Sequence, residues 1–168
     1  MRSYAPAIAD LRAKVRGRMP LDDRMRAAVE TYWRYFGGDG PGKDVSWVGC
    51  YIKTDGADEL TLVCREPKPA CSPIGLQGMC GRGWKDRRAY AIPDIRTLGE
   101  NYIACDPKDK SEVVAPIFDA RGTCVGVFDV DSYSVRAFTL TDCEGAIDLL
   151  STAGLCRREW LAATSAIL

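Results

Sequence analysis

Ser111-Glu112-Val113-Val114-Ala115-Pro116-Ile117-Phe118, followed by Asp119-Ala120-Arg121-Gly122 and then Gly122 to Val130, is the stretch that decides the fold. Two apolar runs of strand length flank a turn of the type that reverses an antiparallel pair, so 113–118 and 122–130 are expected to form a β-hairpin. Side chains alternate along a strand. Asp129 and Asp131, at its far end, therefore share one face, and Glu112 begins the neighbouring strand. If the preceding loop folds over this end of the sheet, up to three carboxylates and a thiol, Cys105, meet in one pocket. Like charges that close cannot all ionise cheaply, so at least one carboxyl is expected to hold its proton at neutral pH.

Outward from this hairpin the pattern is α+β. Tyr4, Ile8, Leu11 and Val15 recur at helical spacing within residues 3–16. Leu21, Met25, Ala28, Tyr32 and Phe36 form a second helical stripe, with Asp22 and Asp23 at its start and Gly37-Gly38 at its stop. Val45 to Lys53 reads as a strand buried on both faces, with Val48, Cys50 and Ile52 opposite Trp47, Gly49 and Tyr51. It pairs through a turn at 54–58 with the strand Leu60 to Cys64. Residues 65–78 hold Pro67, Pro69 and Pro73 and do not suit a central strand. A short helix is predicted over Met79 to Arg87, a brief strand over Ala89 to Ile92 and a loop from Arg96 to Lys110. A last helix runs from about Thr141, with Glu144 completing a capping box and Cys143, Ile147, Leu150, Gly154 and Leu161 facing inward. The sum is a central, mostly antiparallel sheet of about six strands flanked by N- and C-terminal helices. We divide it into an N-terminal helical segment, 1–44, packing on a domain that spans 45–168.

Composition narrows the chemistry. The 168 residues carry 23 basic and 23 acidic side chains, a balance without the basic face expected of a nucleic-acid binder. No apolar run approaches the roughly 18 residues of a membrane span, and Met1-Arg2-Ser3-Tyr4 is not the start of a signal peptide, so a cytoplasmic protein is expected. In a reducing compartment eight cysteines do not spell a disulfide framework. None forms a Cys-x-x-Cys pair, so no structural metal site is expected. The chain has no histidine, which removes Cys-His and Ser-His dyads and leaves acid-base work to carboxylates, Tyr, Lys, Cys or water. Cysteines 50, 64, 124, 143 and 156 fall on predicted strands and helices and read as packing residues. The long loops are assigned Cys71, Cys80 and Cys105. A thiol beside a protonated carboxyl suits sulfoxide reduction: the acid protonates the S–O oxygen, the thiol becomes a sulfenic acid, and a second cysteine condenses with it.

Seven short motifs then occur in a familiar order: Ser46-Trp47-Val48-Gly49-Cys50-Tyr51, Lys68-Pro69-Ala70-Cys71, Gly78-Met79-Cys80-Gly81, Ile92-Pro93-Asp94, Ile103-Ala104-Cys105-Asp106, Ser111 to Pro116, and Gly126 to Ser132. From about Val45 to Leu150 the chain resembles the free methionine-R-sulfoxide reductases, which are single-domain GAF-fold enzymes. The resemblance implies thiol-dependent reduction of free L-methionine (R)-S-oxide without a cofactor. It makes Cys105 the attacking thiol and either Cys80 or Cys71 the resolving one, with a thioredoxin-like dithiol as final reductant. Trp47 and Tyr51 would wall the methylthio group. Glu112, Asp129 and Asp131 would bind the substrate ammonium and assist protonation. A homodimer is also implied, with the N-terminal helical segment a candidate for its contact. Departures include Tyr102, where a histidine often precedes the Ile-Ala-Cys motif, and Cys50 in place of a common aromatic. Two other readings compete: a non-catalytic GAF module that binds a small ligand, and a cysteine-based redox sensor.

Overall fold

The computed structural model describes residues 2–102 and 105–168, with backbone only at 100 and 101. Helices α1 (Ala5–Lys14) and α2 (Leu21–Phe36) precede the hairpin of β1 (Trp47–Lys53) and β2 (Glu59–Glu66). Then come β3 (Ile74–Gly75), α3 (Met79–Asp86), β4 (Tyr90–Ile92) and a 3-10 segment, Ile95–Asn101. The hairpin of β5 (Ser111–Phe118) and β6 (Cys124–Ser132), helix α4 (Leu140–Thr152), a 3-10 turn at Arg158–Trp160 and β7 (Ala166–Ile167) complete the chain. The sheet order is β3-β2-β1-β6-β5-β4-β7, antiparallel throughout except where β7 joins β4.

Strand alternation builds two cores, one on each face. Val48, Cys50, Val113, Phe128 and Val130 point toward α1, α2 and α4, while Trp47, Tyr51, Val114 and Val127 point toward α3 and the long loops. The α2 stripe works as its spacing predicts: Met25, Ala28, Tyr32 and Phe36 are buried in the helix-covered core. Burying both faces explains why β5 is apolar at almost every position.

Three expectations are corrected. The described residues form seven strands rather than about six. Strands β3 and β7 hold two residues each, too few for alternation to show, and β3 sits at the sheet edge where its proline-rich surroundings are tolerated. The α4 capping box is Thr139 with Asp142, whose Oδ2 accepts the Thr139 N–H at 2.8 Å, not Thr141 with Glu144. Glu144 instead pairs with Arg158 and accepts from Ser165. Both threonines precede a carboxylate by three residues, so the local pattern could not choose between them. Helix α4 also ends at Thr152, where Gly154 turns the chain at φ +68°, so Gly154 and Leu161 lie beyond it.

What selects Asp142 is long-range. Its Oδ1 accepts from the Arg2 guanidinium at 2.9 Å and from the Tyr4 hydroxyl at 3.0 Å, and Tyr4 meets Tyr32 of α2 at 3.1 Å. The Arg2 side chain is only 6% exposed, pairs also with Asp44 and stacks on Phe138. One buried carboxylate thus joins the chain start, α2 and α4. Replacing Asp142 by Ala leaves a buried guanidinium short of its partner and uncaps α4, and should cost about 3–5 kcal/mol in a denaturant titration. A loss under about 1 kcal/mol would show that this network does not hold the helices to the sheet.

Candidate active site

The sheet register assembles the site. Across three neighbouring strands Trp47 (β1) stands opposite Asp131 (β6), which stands opposite Glu112 (β5); one step along, Gly49, Asp129 and Val114 form the next row. All six point to the α3 face. A Cβ at Gly49 would lie 2.2 Å from the Trp47 ring, so glycine is what lets the indole lie flat across this row. Tyr51 follows on the same face, its ring centroid 6.0 Å from that of Trp47.

Above these rows lies a cavity of about 410 Å³, within the range of small-molecule sites. It is lined by every residue singled out from sequence: Trp47, Tyr51, Cys71, Cys80, Cys105, Glu112, Asp129 and Asp131. Cys80 is corrected in placement. Grouped with the loop cysteines, it lies instead in the first turn of α3, as the helix expected over Met79 to Arg87 requires, and it is buried, whereas Cys71 and Cys105 are exposed. Ile103 and Ala104 of the Cys105 motif lie outside the described residues, as does Met1.

Electrostatics set this cavity apart. Glu112, Asp129 and Asp131 are 4%, 8% and 8% exposed, and among the described residues none of them pairs with a lysine or arginine. Burial, then the charge of Asp131, pushes the Glu112 carboxyl up to about 8. Asp129 is raised by burial and by Glu112, and Asp131 by burial and by Asp129. Glu112 Oε2 and Asp129 Oδ1 are buried and accept no hydrogen bond from the described residues. Two carboxylate oxygens left that way call for a proton or a cation between them. Asp109, raised to about 6 chiefly by burial, adds a fourth acidic group to the lining. Cys80 Sγ, a Glu112 oxygen and an Asp129 oxygen lie within 4.8 Å of one another. That thiol-and-carboxylate set is the one group among the described residues placed to hold a metal ion.

The two exposed thiols are brought together by the loops. The Cys71 thiol interacts directly with that of Cys105, and Cys105 is pushed up to about 12, by burial first and by Cys71 next. Loop 68–71 hangs from the aromatic wall: Trp47 Nε1 donates to the Lys68 carbonyl at 2.9 Å, and the Tyr51 hydroxyl to the Cys71 carbonyl at 3.0 Å. Asp106, beside Cys105, is the clasp. It pairs with the Lys68 ammonium and accepts from the Tyr133 hydroxyl at 2.9 Å and the Lys108 N–H at 2.9 Å. Those bonds, Lys68 foremost, hold its carboxyl down to about 2.

Sequence reasoning passed over Lys68, Tyr133 and Tyr102 as site residues. Lys68 and Tyr133 enter through the clasp, which joins segments far apart in the chain, and Lys68 also lines the cavity, where its charge partly offsets the rise of Asp131. Tyr102 lines the cavity, and its hydroxyl offsets part of the rise that burial imposes on the Glu112 carboxyl. Its one signal was its place at a position where a histidine is common in the similar family.

No family model matches the chain. It is 34% identical to the free methionine-R-sulfoxide reductase of Saccharomyces cerevisiae over 60% of this chain and 57% of that protein. Against the Escherichia coli protein of the same name the identity is 33%, over 64% of each chain. The matched region therefore spans about three-fifths of the length of these curated relatives. The solved structure of free methionine-R-sulfoxide reductase from Neisseria meningitidis in complex with its substrate superposes with a TM-score of 0.74 at 26% identity, covering 90% of this chain and 88% of that one. By sequence and by fold, the chain is similar to the free methionine-R-sulfoxide reductases and has a GAF-type fold.

Proposed function

We propose that this protein reduces free L-methionine (R)-S-oxide to methionine, with Cys105 as attacking thiol, Cys71 as resolving thiol and a thioredoxin-like dithiol as final reductant. The observation that carries the reading is the buried acid cluster, ion-paired with no lysine or arginine among the described residues, beside two exposed thiols that line the same cavity. Free methionine sulfoxide brings the missing cation as its ammonium group; a methionine inside a peptide does not. Both named relatives and the substrate-bound Neisseria structure point to the same reaction.

In this scheme Asp131 and Asp129 take the ammonium, while Trp47 and Tyr51 wall the methylthio group. The proton held between Glu112 and Asp129 goes to the sulfoxide oxygen, which makes the sulfur electrophilic. Cys105 attacks that sulfur and passes its own proton to the emptied carboxylate. The hydroxyl then moves to the Cys105 sulfur, leaving a sulfenic acid and methionine. Cys71 forms the S–S bond and releases water, and the external dithiol restores both thiols. A cation among these carboxylates also favours thiolate formation, since the negative charge of Asp129 is one of the influences that raise Cys105. Substrate binding thus lowers the barrier to attack.

Cys71 is preferred to Cys80 as resolving thiol because it is exposed and already interacts with Cys105, whereas Cys80 is buried against Asp129 and Glu112. A non-catalytic ligand module would account for the cavity but not for the paired thiols at its mouth.

Given dithiothreitol, the purified protein should reduce the R epimer of free methionine sulfoxide and leave the S epimer untouched; inactivity of the folded protein on the R epimer rejects the assignment. Cys105→Ser should abolish even the first turnover. Cys71→Ser should yield one equivalent of methionine in the absence of added thiol and leave Cys105 as a sulfenic acid trappable by dimedone.

Glu112 also ties stability to pH. Its folded-state carboxyl titrates near 8, above the ordinary value, so the folded chain holds this proton more tightly than the unfolded one. Its contribution to stability falls as pH rises from the ordinary carboxylate range through about 8. Glu112→Gln should therefore raise Tm at pH 9 relative to the parent protein and leave it nearly unchanged at pH 4. A shift of about 2–4 °C is expected per kcal/mol of strain relieved. Equal shifts at both pH values would show that the carboxyl is not held neutral.

A further inference from the structure

A second pair of cysteines meets on the opposite face of the sheet. Cys50 of β1 and Cys64 of β2 are direct antiparallel partners, both buried beneath α2 in the helix-covered core. Directly opposed residues of antiparallel strands have Cα atoms about 4.5–5.5 Å apart. A disulfide spans about 4.4–6.8 Å. The two side chains share a face, and each thiol shifts the protonation of the other.

Their chemistry differs from that of the chain's other packing cysteines. Burial pushes Cys124, Cys143 and Cys156 up to about 12. Cys64 goes the other way: hydrogen bonding from Cys50 lowers it against the opposing effect of burial, helped by the charge of Arg26. Cys64 is 4% exposed and Cys50 0%, so Cys64 is the one of the pair at the rim of the core, where a small oxidant can approach. A nucleophilic thiol at a rim with a second thiol directly across the ladder is the arrangement of an attacking and a resolving cysteine.

We propose that Cys50 and Cys64 form a second redox dithiol, separate from the cavity, that a peroxide oxidises to a cross-strand disulfide. The Cys64 thiolate attacks the peroxide: an S–O bond forms, the O–O bond breaks, and the departing hydroxide takes a proton as water. Cys50 then attacks the sulfenic sulfur, an S–S bond forms, and the hydroxyl leaves as a second water with the Cys50 proton. Two thiols lose two electrons and the peroxide gains them. The bond ties β1 to β2 next to the bulge between Cys50 and Tyr51, directly behind the wall that Trp47 and Tyr51 present to the cavity. Peroxide stress would thereby stiffen the wall through a bond that involves none of the cavity thiols.

The test is non-reducing peptide mapping of the full chain after hydrogen peroxide treatment in the folded state, with free thiols alkylated under denaturing conditions. The proposal predicts a Cys50–Cys64 cross-link lighter by two hydrogens, with Cys124, Cys143 and Cys156 still alkylated. The link should persist in a chain carrying Cys71→Ser, Cys80→Ser and Cys105→Ser, which cannot perform the proposed catalysis, so this outcome is independent of that reading. In the same chain the oxidised form should melt higher than the reduced one, reversibly with dithiothreitol. Cys50→Ala should leave Cys64 trappable as a sulfenic acid. Complete alkylation of both cysteines in the parent chain, at peroxide levels that oxidise Cys105, would overturn the proposal. So would over-oxidation of Cys64 with no link to Cys50.

Discussion

Three carboxylates buried side by side, with no ion pair to any of them among the described residues, are the constraint on which the rest of the site depends. An isolated ionised carboxylate in a dry interior is costly, and a cluster of three more so, which is why folding holds protons on Glu112 and its neighbours above their ordinary range. The strands bring the groups together regardless, because β5 and β6 are held by their apolar alternation and the acidic residues follow the register. The cavity is thus left acidic, protonated and short of hydrogen-bond donors, a state that a small cationic ligand relieves.

A second layer of contacts keeps the cavity thiols beside this cluster. Trp47 and Tyr51 use their rings as a wall and their polar tips as hooks for the loop that carries Cys71. Asp106 draws the Cys105 loop onto Lys68 and Tyr133. The motif aspartate next to the thiol is therefore a fastener at the cavity's edge, kept ionised by Lys68, while the acids that could donate protons sit below on the sheet. Carboxylates of one kind serve opposite purposes according to whether a cation and a peptide N–H reach them.

Much of this was legible in the sequence, for identifiable reasons. Alternation along 111–118 and 124–132 carried the hairpin and the shared face of Asp129 and Asp131, because a period of two is a local property. Helical spacing carried α2 for the same reason. Residues whose part is set by distant partners were not legible. Asp142 and Glu144 are equivalent caps until Arg2 and Tyr4 arrive, Lys68 is a loop lysine until Asp106 folds onto it, and β7 exists only because the chain end returns to β4. The Cys71, Cys80 and Cys105 trio could be singled out from sequence but not ranked, because burial is what separates them: Cys80 is buried among the acids, while Cys71 and Cys105 are exposed.

The central claim is that the buried acids read the substrate's ammonium group, and N-acetylation removes that charge while leaving the sulfoxide intact. The direct measurement is kcat/KM for the R epimer of free methionine sulfoxide against that of N-acetylmethionine sulfoxide. The account predicts a loss of at least about a hundredfold on acetylation, the cost expected when buried charged groups lose a partner. Comparable values for the two substrates would contradict it.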